Sequence, residues 1–183
     1  MGFSTGYVLV QGLSTDELLR RLGATLGDRV KEPDLVESPA CLGPTVEGGW
    51  TVIGDSPGDI RDDRDLLKAL GSGTTVLTGF LEEHEMYSQT ELYVDGVRRW
   101  RVVSDSGAED EAGVHITVEG TAPDTLDARI RRALERERET EGVDYQFNVP
   151  LDLIKDITGG ILSGHPWGDP YATPYRELVF KTD

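Results

Sequence analysis

A single cysteine, Cys41, stands in the 183 residues. An intramolecular disulfide and any zinc site built on cysteine pairs are therefore impossible, and such sparing use fits a reducing compartment. Long apolar runs are missing too. Nothing approaches the ~20 residues that cross a bilayer, and Met1-Gly-Phe-Ser-Thr-Gly6 has neither the basic nor the apolar region of a secretory signal. A soluble, cytoplasmic protein without membrane contact is the expectation. Positive charge is scarce as well: lysine occurs only at Lys31, Lys68, Lys155 and Lys181, and 34 acidic against 18 basic residues give a formal charge of −16. Neutralising phosphates takes clustered Lys and Arg, so direct binding to nucleic acid is disfavoured. The densest cationic stretch, Arg129 to Arg138, is interrupted by Glu135 and Glu137 and reads as a salt-bridged helix face. Only His84, His115 and His165 are present, with no His-x-x-x-His, no phosphate-binding Gly-x-x-x-x-Gly-Lys-Ser/Thr and no Gly-x-Gly-x-x-Gly. No metal and no cofactor is expected.

What the chain does contain is enough for one core. A single α+β domain spanning residues 1–183 is expected, with a mainly antiparallel central sheet and its helices on one face. Tyr7-Val-Leu-Val-Gln11 predicts a strand. Ser14 with Glu17 three residues on predicts a helix start, and Leu18, Leu19, Leu22 and Leu26 extend its stripe to Leu26. Glu32 to Gly49, with Pro33, Pro39 and Pro44, reads as an irregular connection. Trp50 to Ile53 predicts a strand, and Asp62 to Leu70 a helix stopped by Gly71. Four strands follow as a meander: Thr74 to Leu81, Ser88 to Val94, Arg99 to Val103 and His115 to Glu119. Asp95-Gly96 gives a two-residue hairpin, and Trp100 and Val102 share one face. The other face is expected to be wet. A helix over Asp124 to Thr140, an extended Val143 to Val149, a short helix from Pro150 to Ile157 and a strand at Glu177 to Phe180 complete the reading.

Gly54-Asp-Ser-Pro-Gly58 matches the Gly-x-Ser-x-Gly pattern of a nucleophile elbow, which would make Ser56 a hydrolase nucleophile served by His84 or His165. Pro57 argues against it, because proline lacks the backbone N–H that commonly builds the oxyanion hole. A turn is the expected structure. Glu83-His84-Glu85 has the composition of a metal site, but on a strand the two carboxylates point away from the imidazole. The acidic segments Asp55 to Asp65 and Asp105 to Glu111 carry carboxylates that Ca²⁺ would accept, yet neither follows the EF-hand pattern. Gly164 to Tyr175 concentrates Trp167, Tyr171 and Tyr175 in a loop, where large rings serve contacts.

Val10-Gln-Gly-Leu-Ser-Thr-Asp-Glu-Leu-Leu-Arg-Arg-Leu-Gly23 resembles the opening of an uncharacterised family of actinobacterial proteins, a strand followed by Gly-Leu-Ser/Thr and Leu-x-Arg-Leu-Gly. Trp50, Leu70-Gly-Ser-Gly-Thr-Thr75 and Ile157-Thr-Gly159 extend the resemblance. It implies no activity and no catalytic residue, and it places Gly54 to Gly58 in a variable acidic loop.

The expected function is therefore non-catalytic protein binding, with an acidic surface steering a basic partner such as a toxin, a nuclease or a DNA-binding protein. An immunity or antitoxin-like inhibitor is the most specific form of that expectation. An acidic nucleic-acid mimic or general interaction module, or a serine hydrolase using Ser56, are the alternatives. The expected contact residues are Asp55, Asp59, Asp62, Asp63, Asp65, Asp105, Glu109 and Asp110, with Trp167, Tyr171 and Tyr175 as aromatic anchors.

Overall fold

The computed structural model describes residues 4–30, 39–108, 110–159 and 175–181. Among them, nine strands form one sheet: β1 (Ser4–Gln11), β2 (Ala24–Val30), β3 (Cys41–Val46), β4 (Trp50–Gly54), β5 (Thr75–Glu82), β6 (Tyr87–Val94), β7 (Val97–Asp105), β8 (Ile116–Gly120) and β9 (Tyr175–Phe180). Their spatial order is β2-β9-β3-β4-β1-β5-β6-β7-β8, and every neighbouring pair is antiparallel. Four helices among the described residues accompany it: α1 (Thr15–Leu22), α2 (Arg64–Gly71), α3 (Leu126–Glu139) and α4 (Val149–Thr158). The expected α+β class with an antiparallel central sheet is what the chain adopts.

The helices are not all on one face. Successive residues of a strand point to opposite sides, and β1 sorts the two cores: Val8 and Val10 pack with Leu18 and Leu22 of α1 and Leu67 and Leu70 of α2. Tyr7 and Leu9 pack on the other side with Leu126 and Ala133 of α3 and Leu153 and Ile154 of α4. Covered on both sides, β1 reads as a continuous apolar run rather than an alternating one. On the α1/α2 side the sheet turns polar over β6 to β8, beyond Tyr93, which still packs in the α1/α2 core, and this is where the expected wet face lies. There Tyr87, Gln89, Glu91, Arg98, Arg101 and Glu119 bond one another in a closed polar network.

Local chemistry explains most boundaries. Ser14 accepts the Glu17 amide at 3.3 Å, but the Glu17 carboxylate turns to Arg20 and Arg21 instead of completing a capping box. Gly23, at φ 63°, ends α1 three residues before the expected Leu26. Leu26 instead belongs to β2, a strand hidden in the sequence by its helical spacing from Leu22. The reading of 32–49 as irregular is also corrected, since Cys41–Val46 is a strand that passes Gly43-Pro44 with a break in register. Val143 to Val149 is not extended: a 3₁₀ turn at Gln146–Asn148 leads directly into α4. Asp63 caps α2 by accepting the amides of Asp65 and Leu66. Arg21 reaches from α1 to the carbonyls of Leu70 and Ser72, satisfying the far end of α2 with a positive charge. Asp95 and Gly96, at φ 52° and 72°, form the expected hairpin between β6 and β7.

Close approach fixes one glycine. A Cβ at Gly79 of β5 would lie 2.2 Å from a Tyr7 ring carbon, and Tyr7 is only 1% exposed. The ring has nowhere to swing. Gly79→Ala should therefore cost about 1–3 kcal/mol of stability by overpacking, read as a lower denaturant midpoint at unchanged slope. An unshifted midpoint would mean the Tyr7 ring is not wedged over this strand.

Candidate functional site: the acidic end of the sheet

Antiparallel pairing brings the acidic segments together. Tyr7 opposes Gly54, Ser4 opposes Glu82, Glu82 opposes Tyr87, and Tyr87 opposes Asp105. The segment after β4, the β5–β6 turn and the segment after β7 therefore leave the sheet at the same end. Glu82, Glu85 and Asp105 border a cleft of about 560 Å³ floored by Phe80 and Tyr87, whose rings meet at 6.1 Å and 55°. His84 and Glu85 are exposed on its rim, and Asp59, Asp62, Asp110 and Glu111 lie on the flanking segments, also exposed.

Behind the cleft, the segment after β4 is tightly built. Asp55 is fully buried, and its Oδ2 accepts the amides of Ile60 at 3.1 Å and Arg61 at 2.6 Å. Its Oδ1 is buried with no hydrogen-bond partner among the described residues. Burial raises the Asp55 carboxyl to about 6, against the pull of the Arg61 and Ile60 amides and of the Arg61 charge. The Arg61 guanidinium lies 4.3 Å from the Phe80 ring centre and pairs with Asp62 at 3.0 Å. Gly6 makes that possible, since a Cβ there would fall 1.8 Å from an Arg61 nitrogen. Arg61 thus closes one side of the aromatic floor with a charge of the opposite sign to the rim.

The expected contact residues divide accordingly. Asp59, Asp62, Asp63, Asp65 and Asp110 are exposed and Asp105 is half-buried. Several also have local duties: Asp63 caps α2, Asp105 accepts the Gly107 amide, and Asp110 accepts those of Ala112 and Val114. Asp55 and Tyr175 are inside the protein, Tyr175 at 1% exposure as part of the core, and present no surface to a partner. Glu109, Trp167 and Tyr171 lie outside the described residues, as does His165. Sequence reasoning missed Phe80, Glu82 and Tyr87 as contact residues, and weighed Glu85 only as part of the metal-like Glu83-His84-Glu85. The period-2 spacing of Phe80 and Glu82 was the available signal, because it puts both on the same side of the sheet.

The catalytic alternatives find little geometry. Ser56 sits in a turn closed by the Gly58 amide on the Asp55 carbonyl, and α2 begins only at Arg64, so no strand-to-helix elbow is formed. Glu83 to Met86 form the β5–β6 turn rather than a strand, and no three His, Cys, Asp or Glu side chains gather as a metal site among the described residues. His115 is 7% exposed, with Nε2 lying 3.2 Å from Asp144. Around it, Gln146 accepts the His115 amide and donates to the Gly113 carbonyl and to Glu137, while Glu137 accepts the amides of Tyr145 and Gln146. That network fastens the segment after α3 to the start of β8. Cys41 is buried and its thiol pushed up to about 11, mainly by loss of water, which leaves it protonated near neutrality.

No protein-family model, curated protein or solved structure matches the chain. No helix among the described residues is long and apolar enough to cross a membrane.

Proposed function

We propose that the protein is a non-catalytic binding domain for a basic protein, and that it engages its partner at the acidic end of the sheet. One observation carries this reading: the cleft at that end combines three bordering carboxylates with an aromatic floor. Lysine and arginine side chains suit such a site, because the charged head pairs with Glu82, Glu85 or Asp105 while the stem lies along Phe80 and Tyr87. A charge of −16 adds long-range attraction. Inhibition of a toxin or nuclease is the most specific form of the proposal, since a basic catalytic surface would be both attracted and covered.

The probe is an arginine-rich decapeptide, followed by surface-binding kinetics. Replacing Glu82 and Glu85 with Gln and Asp105 with Asn should slow association several-fold at 0.1 M salt, where the Debye length is about 10 Å, and little at 1 M, where it is about 3 Å. A control triple that removes the same charge elsewhere, Asp16, Asp95 and Asp127 to Asn, should slow it less. Equal effects from the two triples would mean that attraction is spread over the whole surface and that the cleft is no docking site. A basic nuclease or toxin domain encoded beside the gene is the probe for the finer reading. Its activity should fall on mixing with the wild-type chain and recover with the cleft triple.

A further inference from the structure

One concavity carries the opposite charge. Arg129, Arg132 and Arg136 recur at i, i+3 and i+7, so they form one stripe along α3. That stripe faces α4 across a cleft of about 390 Å³, to which Lys155 adds a fourth cation and Asp152 a carboxylate. The lining therefore has a formal charge of +3 on a chain of −16. The expected salt-bridged face with Glu135 and Glu137 is not what holds these side chains. Arg129 pairs across the gap with Asp152 and Asp156 of α4, and Lys155 with Asp152. Glu137 is occupied with the amides of Tyr145 and Gln146. Arg136 lies over the Tyr145 ring, 3.8 Å from its centre, and has no ion pair among the described residues. Arg132 has no hydrogen-bond or ion-pair partner among the described residues.

We propose that this cleft binds the phosphate group of a small phosphorylated molecule. The two guanidinium groups left without carboxylates stand four residues apart on one helix face, and planar guanidinium forks suit a phosphate's oxygens. Arg129, held rigidly by α4, and Lys155 supply further positive charge at the rim. Ala133 and Val149 of the lining are buried, and Tyr145, half-buried, is the apolar surface on which the organic part of the ligand rests. Its volume falls in the range of small-molecule sites, roughly 300–1,000 Å³. The overall negative charge does not forbid this, because at physiological salt the Debye length is about 8 Å and the lining charges dominate within the cleft.

Calorimetric titration of the full chain with inorganic phosphate, adenosine 5′-monophosphate and adenosine tests it. The monophosphate should bind and adenosine should not. Inorganic phosphate binding as tightly as the monophosphate would place all recognition on the arginines, and weaker binding would add the Tyr145 wall. Arg132→Ala should weaken the monophosphate about tenfold or more. Arg131→Ala, which removes the same charge from the exposed far side of α3, should leave it within about twofold. Both side chains are exposed, so neither variant threatens the fold. Failure of both phosphate ligands to bind at up to about 10 mM, or an equal loss in the two variants, would overturn the proposal. Neither result touches the acidic end, where the decapeptide experiment stands by itself.

Discussion

Trp100→Ala should lower the unfolding free energy by about 3–5 kcal/mol, the upper range for truncating one side chain in a packed core. Trp100 is 3% exposed on β7 and packs in the core shared with α3 and α4. Its neighbours in that core, Leu153 and Ile154, are fully buried on a helix held by its own hydrogen bonds, so they cannot collapse far into the space an indole leaves. Arg99→Ala, one residue away and exposed, should stay within about 0.5 kcal/mol. Urea unfolding of the three proteins decides it. A Trp100 loss below about 1 kcal/mol would mean that the strand is out of register and its faces are exchanged.

The second large effect is a pH dependence located at Asp55. Its carboxyl titrates at about 6 in the folded chain against an ordinary 3.8. An acid raised by burial holds its proton in the folded state over a range where the unfolded chain has already released it. Stability from this group is therefore complete below about pH 4, falls as pH rises between 4 and 6, and is lower by about 3 kcal/mol above that window. Asp55→Asn has no such titration and keeps an oxygen for the Ile60 and Arg61 amides. The stability of Asp55→Asn minus that of wild type should thus grow by about 3 kcal/mol from pH 4 to pH 7. Taking the difference cancels the other carboxylates, including Glu17, which Arg20 and Arg21 hold at about 2. A difference that stays flat across the window would place the Asp55 carboxyl in water.

Wherever one short-range rule decides the structure, the sequence was a sufficient guide. Period-2 alternation gave the face of Trp100, Asp95-Gly96 gave a hairpin, and Ser14 gave a helix start. The losses occurred where two rules competed or where the answer lay in tertiary contacts. Leu26 continued a helical spacing that Gly23 physically ends, and Gly43-Pro44 concealed a strand whose partners, Trp50 to Gly54 and Arg176 to Glu177, hold it in the sheet. No local rule tells which side of a doubly covered sheet a helix will choose, so α1 and α3 were placed together. The acidic end is a similar case. Its two acidic segments were visible in the composition, but their convergence on Glu82, Glu85, Phe80 and Tyr87 follows from strand pairing. Asp55 could not be told from its exposed neighbours until Gly6 and Arg61 were seen to enclose it.

The position of β9 governs the order in which the molecule can be assembled. Within the block β4-β1-β5-β6-β7-β8, the pairings of β5 to β8 join consecutive strands, and β1 is held between β4 and β5, two strands that lie in the first 82 residues. On the far side, β2 pairs with no strand but β9 among the described residues, and the Arg176 side chain grips the Gly27 carbonyl 149 positions back along the chain. Bringing such distant segments together costs more chain entropy than closing a hairpin, so these contacts form late. During synthesis from the amino terminus, β2 leaves the ribosome early and waits, its backbone unpaired, until β9 arrives to slide between it and β3. Throughout that interval the exposed flank is an opening for strands of other nascent chains. Slow translation of the later half would lengthen the exposure, and a chaperone that shields extended segments would shorten its consequences.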